Sequence, residues 1–285
     1  MYQRYPSLRL GSVFAMSIKV HARDVSRTFH LRNDQGRNVA LPVLDGFNLD
    51  IREGEFLSLL GPSGCGKSTF LNMLAGFEDF DSGEIQVDGE PLKKQDFNRG
   101  MVFQSYALLP WRTVRSNLEI ALEIRHVPRA ERHKIARYSL GRVGLTPFAN
   151  QYPHQLSGGM RQRVAIARVL AYNPSLLLMD EPFGALDAQT REDLQLELLR
   201  IWEDDKKTIL FVTHSIDEAV LLSDRVAIMS ARPGTISEII NIDLPRPRNE
   251  DIRGSAEFAR IRQYAWHRLK HEVTRPNEFN GGEGI

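Results

Sequence analysis

Residues 61–69 read GPSGCGKST, which sets two glycines, a lysine and two hydroxyls at the spacing G-x-x-x-x-G-K-[ST]. Gly61, Pro62 and Ser63 lead into a loop in which the backbone N–H groups of Gly64, Cys65, Gly66 and Lys67 can converge on phosphate oxygens. Glycine permits that tight wrap, and the start of a following helix adds partial positive charge. The Lys67 amine is expected to reach the β- and γ-phosphates, Ser68 to offer Mg²⁺ a hard oxygen ligand, and Thr69 to bond the α-phosphate. By average composition, a chain of this length matches the pattern by chance roughly once in a hundred. Residues 176–182, LLLMDEP, end an apolar run in two carboxylates. Asp180 is placed to hold Mg²⁺ directly or through water. Glu181, one residue on, is placed to polarise an attacking water. Alone, the pair reads equally as a solvated strand end; beside the phosphate loop it implies hydrolysis. Residues 156–163, LSGGMRQR, put Ser157 ahead of Gly158 and Gly159, so that a hydroxyl and several free N–H groups open a helix toward an anion. A simple helix cap is the plain alternative.

These residues need elements to carry them. The run 55–61, EFLSLLG, is almost continuously apolar, as a parallel strand buried on both faces would be. A helix is expected from Lys67 to about Ala75, with Gly76 just past its end. Runs at 18–25, 43–51 and 83–89 alternate and are bounded by turn residues, so they read as strands. From Ser105 to about Pro153 the chain becomes charged and helix-favouring, with Leu118, Ala121, Leu122 and Ile135 as its apolar positions. That stretch reads as a helical subdomain inserted at 105–155. Three more buried strands follow at 176–180, 208–214 and 225–230, separated by helices at 188–203 and 216–222. Leu194, Leu198 and Trp202 are taken as the core face of the first of these helices. The alternation predicts a parallel sheet flanked by helices. Residues 255–273 place Phe258, Ile261, Ala265 and Leu269 at helical spacing, and a packed amphipathic helix is expected there. Residues 1–16 read as an extension, with Met16 a second candidate start, and residues 275–285 as a tail without order.

Composition narrows the partners. With 37 basic and 36 acidic residues, the chain carries no global field that would gather nucleic acid. No stretch nears the ~20 apolar residues that cross a bilayer, so membrane work implies recruitment by a partner. The single cysteine, Cys65, forms no intrachain disulfide and fits a reducing compartment. Its position at a helix start suggests a lowered thiol pKa, with alkylation expected to block nucleotide binding; the alternative is a small filler contributing only its backbone.

Together, and in this order, the motifs over about 18–242 resemble the ATP-binding subunits of ABC transporters. LSGGMRQR is similar to that family's signature, with Met160 where Gln is usual. The resemblance implies a P-loop NTPase core of α/β class, a RecA-like parallel sheet, with an N-terminal antiparallel β subdomain and an inserted α-helical subdomain, the domain covering 17–245. It implies ATP and Mg²⁺ as cofactors and hydrolysis as the reaction. It also implies a homodimer in which one chain's Ser157, Gly158 and Gly159 close over ATP held by the other. Gln104, ending GMVFQ, looks like the glutamine near Mg²⁺ and the attacking water; Asp187 in ALD looks like the residue contacting the opposite subunit. His214 looks like the switch histidine at the γ-phosphate, and Phe29 like the aromatic that stacks on adenine, core packing being the alternative for Phe29. Integral membrane permease subunits are implied as partners, an extracytoplasmic solute-binding protein indirectly, and no nucleic acid. The implied location is the cytoplasmic face of the cell membrane, peripherally bound. Leu108, Leu109 and Trp111 either form a groove for the permease or pack inside the subdomain. Residues 214–236, and SARPG within them, resemble the nitrate, sulfonate and taurine importer group.

Overall fold

The computed structural model describes residues 17–32, 36 and 38–274, so the extension at 1–16 and the tail at 275–285 lie outside the described residues. Four strands form an antiparallel sheet in the order β2 (Asn38–Arg52), β1 (Ile18–Arg32), β4 (Ser82–Val87) and β5 (Glu90–Pro91). Six more form a second sheet in the order β10 (Ile236–Asn241), β9 (Arg225–Met229), β3 (Phe56–Leu60), β8 (Thr208–Thr213), β7 (Leu176–Asp180) and β6 (Arg99–Val102). All neighbours in the second sheet run parallel except β10 on β9.

The apolar runs read as buried strands are buried for a stated reason: both faces of the sheet are covered. In β3, Phe56 and Leu60 enter one core cluster while Leu57 and Leu59 enter another. In β8, Ile209 and Phe211 face the first cluster and Leu210 and Val212 the second. With a side-chain period of two, such strands need apolar residues at every position. The first cluster is filled by α5 (Ala188–Asp205), α6 (Ile216–Leu222) and α7 (Ala256–Thr274), with Leu194, Leu198, Trp202, Phe258, Ile261 and Ala265 inside and Leu269 packed against it. The second cluster takes α1 (Lys67–Ala75) and the antiparallel sheet.

A third cluster forms the helical subdomain from α2 (Val114–Ile124), α3 (Arg129–Arg142) and part of α4 (Gly158–Ala171). Helix α4 is shared: Val164, Ala167 and Ala171 enter the subdomain, Ile166 and Val169 the main core.

Candidate nucleotide site

Between β3 and α1 the chain turns through Gly64 at φ 76° and Gly66 at φ 104°, a region closed to most side chains. A Cβ on Gly66 would stand 2.7 Å from a Leu44 methyl and 3.1 Å from the Val43 carbonyl, so glycine is required there for space as well as for φ. Lys67 opens α1, and its amine folds back to donate to the carbonyls of Gly61 at 2.8 Å and Pro62 at 2.9 Å. Gly61, Pro62 and Ser63 thus form the near wall of a loop wrapped around its own lysine. Ser68 donates through Oγ to Asp180 Oδ1 at 2.9 Å, joining the loop to the end of β7. Burial first, and then the neighbouring Glu181 charge, push the Asp180 carboxyl above the usual range; the Ser68 hydrogen bond pulls it down but does not prevail.

Glu181 follows at φ 42°, its N–H donating to the Val212 carbonyl at 3.0 Å. Its Oε2 lies 2.9 Å from His214 Nδ1, at the end of β8. A Cβ placed on Gly184 would meet Gln104 Nε2 at 3.2 Å and Glu181 Oε2 at 3.9 Å, so Gln104 and Glu181 share one small space. A cavity of about 360 Å³ is lined by Glu181 together with Phe29, Leu41, Val43, Ser63, Gly64, Gly66, Lys67, Ser68, Thr69 and Arg232. One face of the half-buried Phe29 ring lies 4.8 Å from the Arg27 guanidinium; the ring also lines the cavity rather than sitting wholly in the core. Arg232, Leu41 and Val43 were not read as site residues from the sequence. SARPG was the one signal, and it pointed to a family group rather than to the site.

Two expectations meet different outcomes. Ser157, Gly158 and Gly159 line no part of this cavity. Ser157 caps α4 by accepting from the Met160 N–H at 3.3 Å. A Cβ on Gly159 would come 2.4 Å from a Thr190 methyl, so α4 lies hard against α5. Asp187 caps α5, accepting from the Thr190 N–H at 3.0 Å, and that bond holds its carboxyl below the usual range. The lowered thiol pKa expected for Cys65 is corrected. The residue is 1% exposed, and burial pushes the thiol up despite nearby Lys67, which pulls it down. Cys65 is a buried filler packed into the second core cluster.

The donors suit Mg²⁺ with ATP. Ser68 and Asp180 offer hard oxygens, and a carboxyl raised by burial is one that a cation would relieve. Among the described residues no cluster of three acidic, His or Cys side chains could hold a metal alone.

This sheet, loop and carboxylate pair define a nucleotide-hydrolysing cassette, and the comparisons give its family. The model described as ABC transporter matches residues 44–184. An uncharacterized ABC transporter ATP-binding protein of Methanocaldococcus jannaschii is 49% identical, covering 90% of this chain and 94% of that one. A nitrate import ATP-binding protein of Synechococcus elongatus is 43% identical over 81% of this chain and 87% of its own length. Among solved structures, a dimeric ATP-binding cassette in a post-hydrolysis state with ADP and phosphate is 34% identical, with a TM-score of 0.67, covering 79% of this chain and all of that one. The chain belongs to the ATP-binding subunits of ABC transporters. It is an ATPase coupled to transport, and its cofactors are ATP and Mg²⁺.

Proposed function

We propose that the chain works as a homodimer that closes on two ATP molecules at composite sites and drives a separate membrane permease. The observation that carries this reading is the separation, within one chain, of Ser157–Gly159 from the cavity lined by Lys67, Ser68 and Glu181, with Asp180 bonded to Ser68 beside it. A chain that presents two anion-binding helix starts, α1 and α4, to different places is completed by a second copy facing it. In this reading Gln104 and His214 orient the water and the γ-phosphate, Glu181 takes the water's proton, Phe29 stacks on adenine, and Asp187 faces the opposite subunit.

The permease surface is the segment after Gln104. Asn117, fully buried, fixes it by accepting from the Leu109 N–H at 2.8 Å and donating to the Leu109, Arg112 and Thr113 carbonyls. Arg168 of α4 donates to the carbonyls of Tyr106 and Ala107, both at positive φ. Leu108 packs into the subdomain, but Trp111 is 71% exposed. Nearby in sequence, Phe103 stacks with the exposed Phe77 at 5.9 Å between centroids. A rigid loop with a large bare aromatic at its tip supports docking over packing for Trp111.

The subunit is then peripheral, at the cytoplasmic face of the membrane, with a solute-binding protein reaching it only through the permease. The SARPG segment and the nitrate import relative support nitrate, a sulfonate, taurine or a similar small solute as cargo. Affinity purification from mildly solubilised native membranes, with mass spectrometry, tests this. A stoichiometric multi-span permease is expected with the wild type and is lost with Trp111→Ala, whose basal ATPase stays within about twofold. Recovery with ribosomes or nucleic acid instead would overturn the transport role.

A further inference from the structure

The turn after β9 is built against the phosphate loop. The Ser230 N–H donates to the Thr235 carbonyl and its Oγ accepts from the Thr235 N–H, both at 3.0 Å, closing the turn. The Gly234 N–H donates to the Val43 carbonyl at 2.8 Å. A Cβ on Gly234 would come 2.0 Å from the Cys65 carbonyl oxygen, so only glycine lets this turn lie so close to the loop. The turn presents one charged side chain to the nucleotide cavity, that of Arg232. Its Nε donates to the Gly64 carbonyl at 3.0 Å, and a Cβ on Gly64 would stand 2.7 Å from one of its terminal nitrogens. Among the described residues no carboxylate lies within ion-pair distance of Arg232, although the chain pairs most of its other arginines near its cores. The guanidinium is thus oriented by one hydrogen bond, with its remaining donors directed at no protein anion.

Resting on the reading of this cavity as the nucleotide site, we propose that Arg232 is a second cation for the nucleotide, contacting the phosphate chain common to ATP and ADP. Lys67 supplies one positive charge to a cavity that the Glu181 carboxylate also lines, and Asp180 adjoins it through Ser68. A planar guanidinium with free donors matches phosphate oxygens two at a time, and its anchor on Gly64 ties that contact to the shape of the loop.

Calorimetric titration with ATP and with ADP tests the proposal on wild type, Arg232→Met, Arg232→Lys and Lys67→Ala. Met keeps the aliphatic stem and is expected to weaken both nucleotides roughly tenfold, Lys by less than that. The melting temperature without nucleotide is expected to stay level, and the dependence of affinity on ionic strength to become shallower in the Met variant. Unchanged affinity in Arg232→Met, alongside lost binding in Lys67→Ala, would remove Arg232 and leave the site. Binding that survives Lys67→Ala would remove the site and Arg232's role with it. A fall in affinity matched by a lower melting temperature, with the salt dependence unaltered, would make Arg232 a prop for Gly64 and overturn the contact.

Discussion

Glu181 holds a left-handed backbone, with φ 42°, at the point where β7 ends. A carboxylate side chain gains nothing for folding from that conformation, and strain of this kind persists where the surroundings fix it. Here the Val212 carbonyl holds its N–H and His214 meets its carboxylate. Replacing Glu181 by Gln preserves shape and the contact with His214 but removes the group able to take a proton. Turnover measured as phosphate release is expected to fall by about 10²- to 10⁴-fold, with ATP affinity held within a few-fold; ordinary turnover would remove Glu181 from the chemistry. The carboxylate pair, the lysine and the hydroxyl were legible in the sequence because each motif is local and its chemistry follows from residue type and spacing. Two neighbours were not. Gly234 comes up against the Cys65 carbonyl from far along the chain, and Arg232 meets Gly64 across 168 residues of chain. Nothing local in either stretch reports such an approach.

Elements were legible where a single period ran unbroken. Strands β3, β7, β8 and β9 carry near-continuous apolar runs, and α7 keeps its helical spacing of three and four residues. The two long strands β1 and β2 extend well beyond the runs at 18–25 and 43–51, because register shifts near Val25 and Arg27 break the alternation by which a strand is recognised. Strand β10 was missed since it lies at a sheet edge, with Ile240 its only buried residue. The segment beyond β10 does structural work that its polar sequence hides. Arg248 is buried and donates to the carbonyls of Val220, Leu221 and Ser223 at the end of α6, and to those of Ile242 and Leu244. Burial, with Arg246 nearby, pushes its pKa down to about 10, which leaves it a cation at neutral pH. A helix end offers unpaired carbonyls and partial negative charge, and Arg248 answers both. Arg248→Met leaves those carbonyls without partners in a dry place. Urea unfolding is expected to show a loss of roughly 2–4 kcal/mol, with the midpoint lowered and the slope unchanged. A shift of a few tenths would mean that water replaces the guanidinium.

For the molecule as a whole, the question is which surfaces must meet for one turnover. The phosphate loop, Asp180, Glu181 and His214 are gathered at the ends of β3, β7 and β8, all parallel, so they face one edge of the sheet. Ser157 is carried by α4, which is shared between the core and the helical subdomain, and it opens elsewhere. Each half of the machinery is rigid within its own packing, and joining them inside one chain would require α4 to leave the face of α5, where Gly159 is in close contact with Thr190. In the proposed pair of chains arranged head to tail, the junction forms without such a rupture. Mixing variants separates the two cases. Lys67→Ala disables the phosphate loop, and Ser157→Arg blocks the signature with a bulky cation at the cost of about 1 kcal/mol of helix capping. Alone, each variant has every composite site broken, and both are expected to be inactive. Mixed in equal amounts, half the dimers join unlike chains, and each such dimer holds one doubly broken site and one intact site. ATPase activity is then expected to return to about a quarter of wild type in a symmetric dimer whose sites fire independently. If every site were built within one chain, neither variant could repair the other, and no mixture would exceed its parents. Circular dichroism of each variant excludes misfolding as the reason for a silent mixture, and mixing the Glu181→Gln chain with Ser157→Arg supplies a second pair. That pair again puts one broken half on each chain, so its activity is expected to return by the same route.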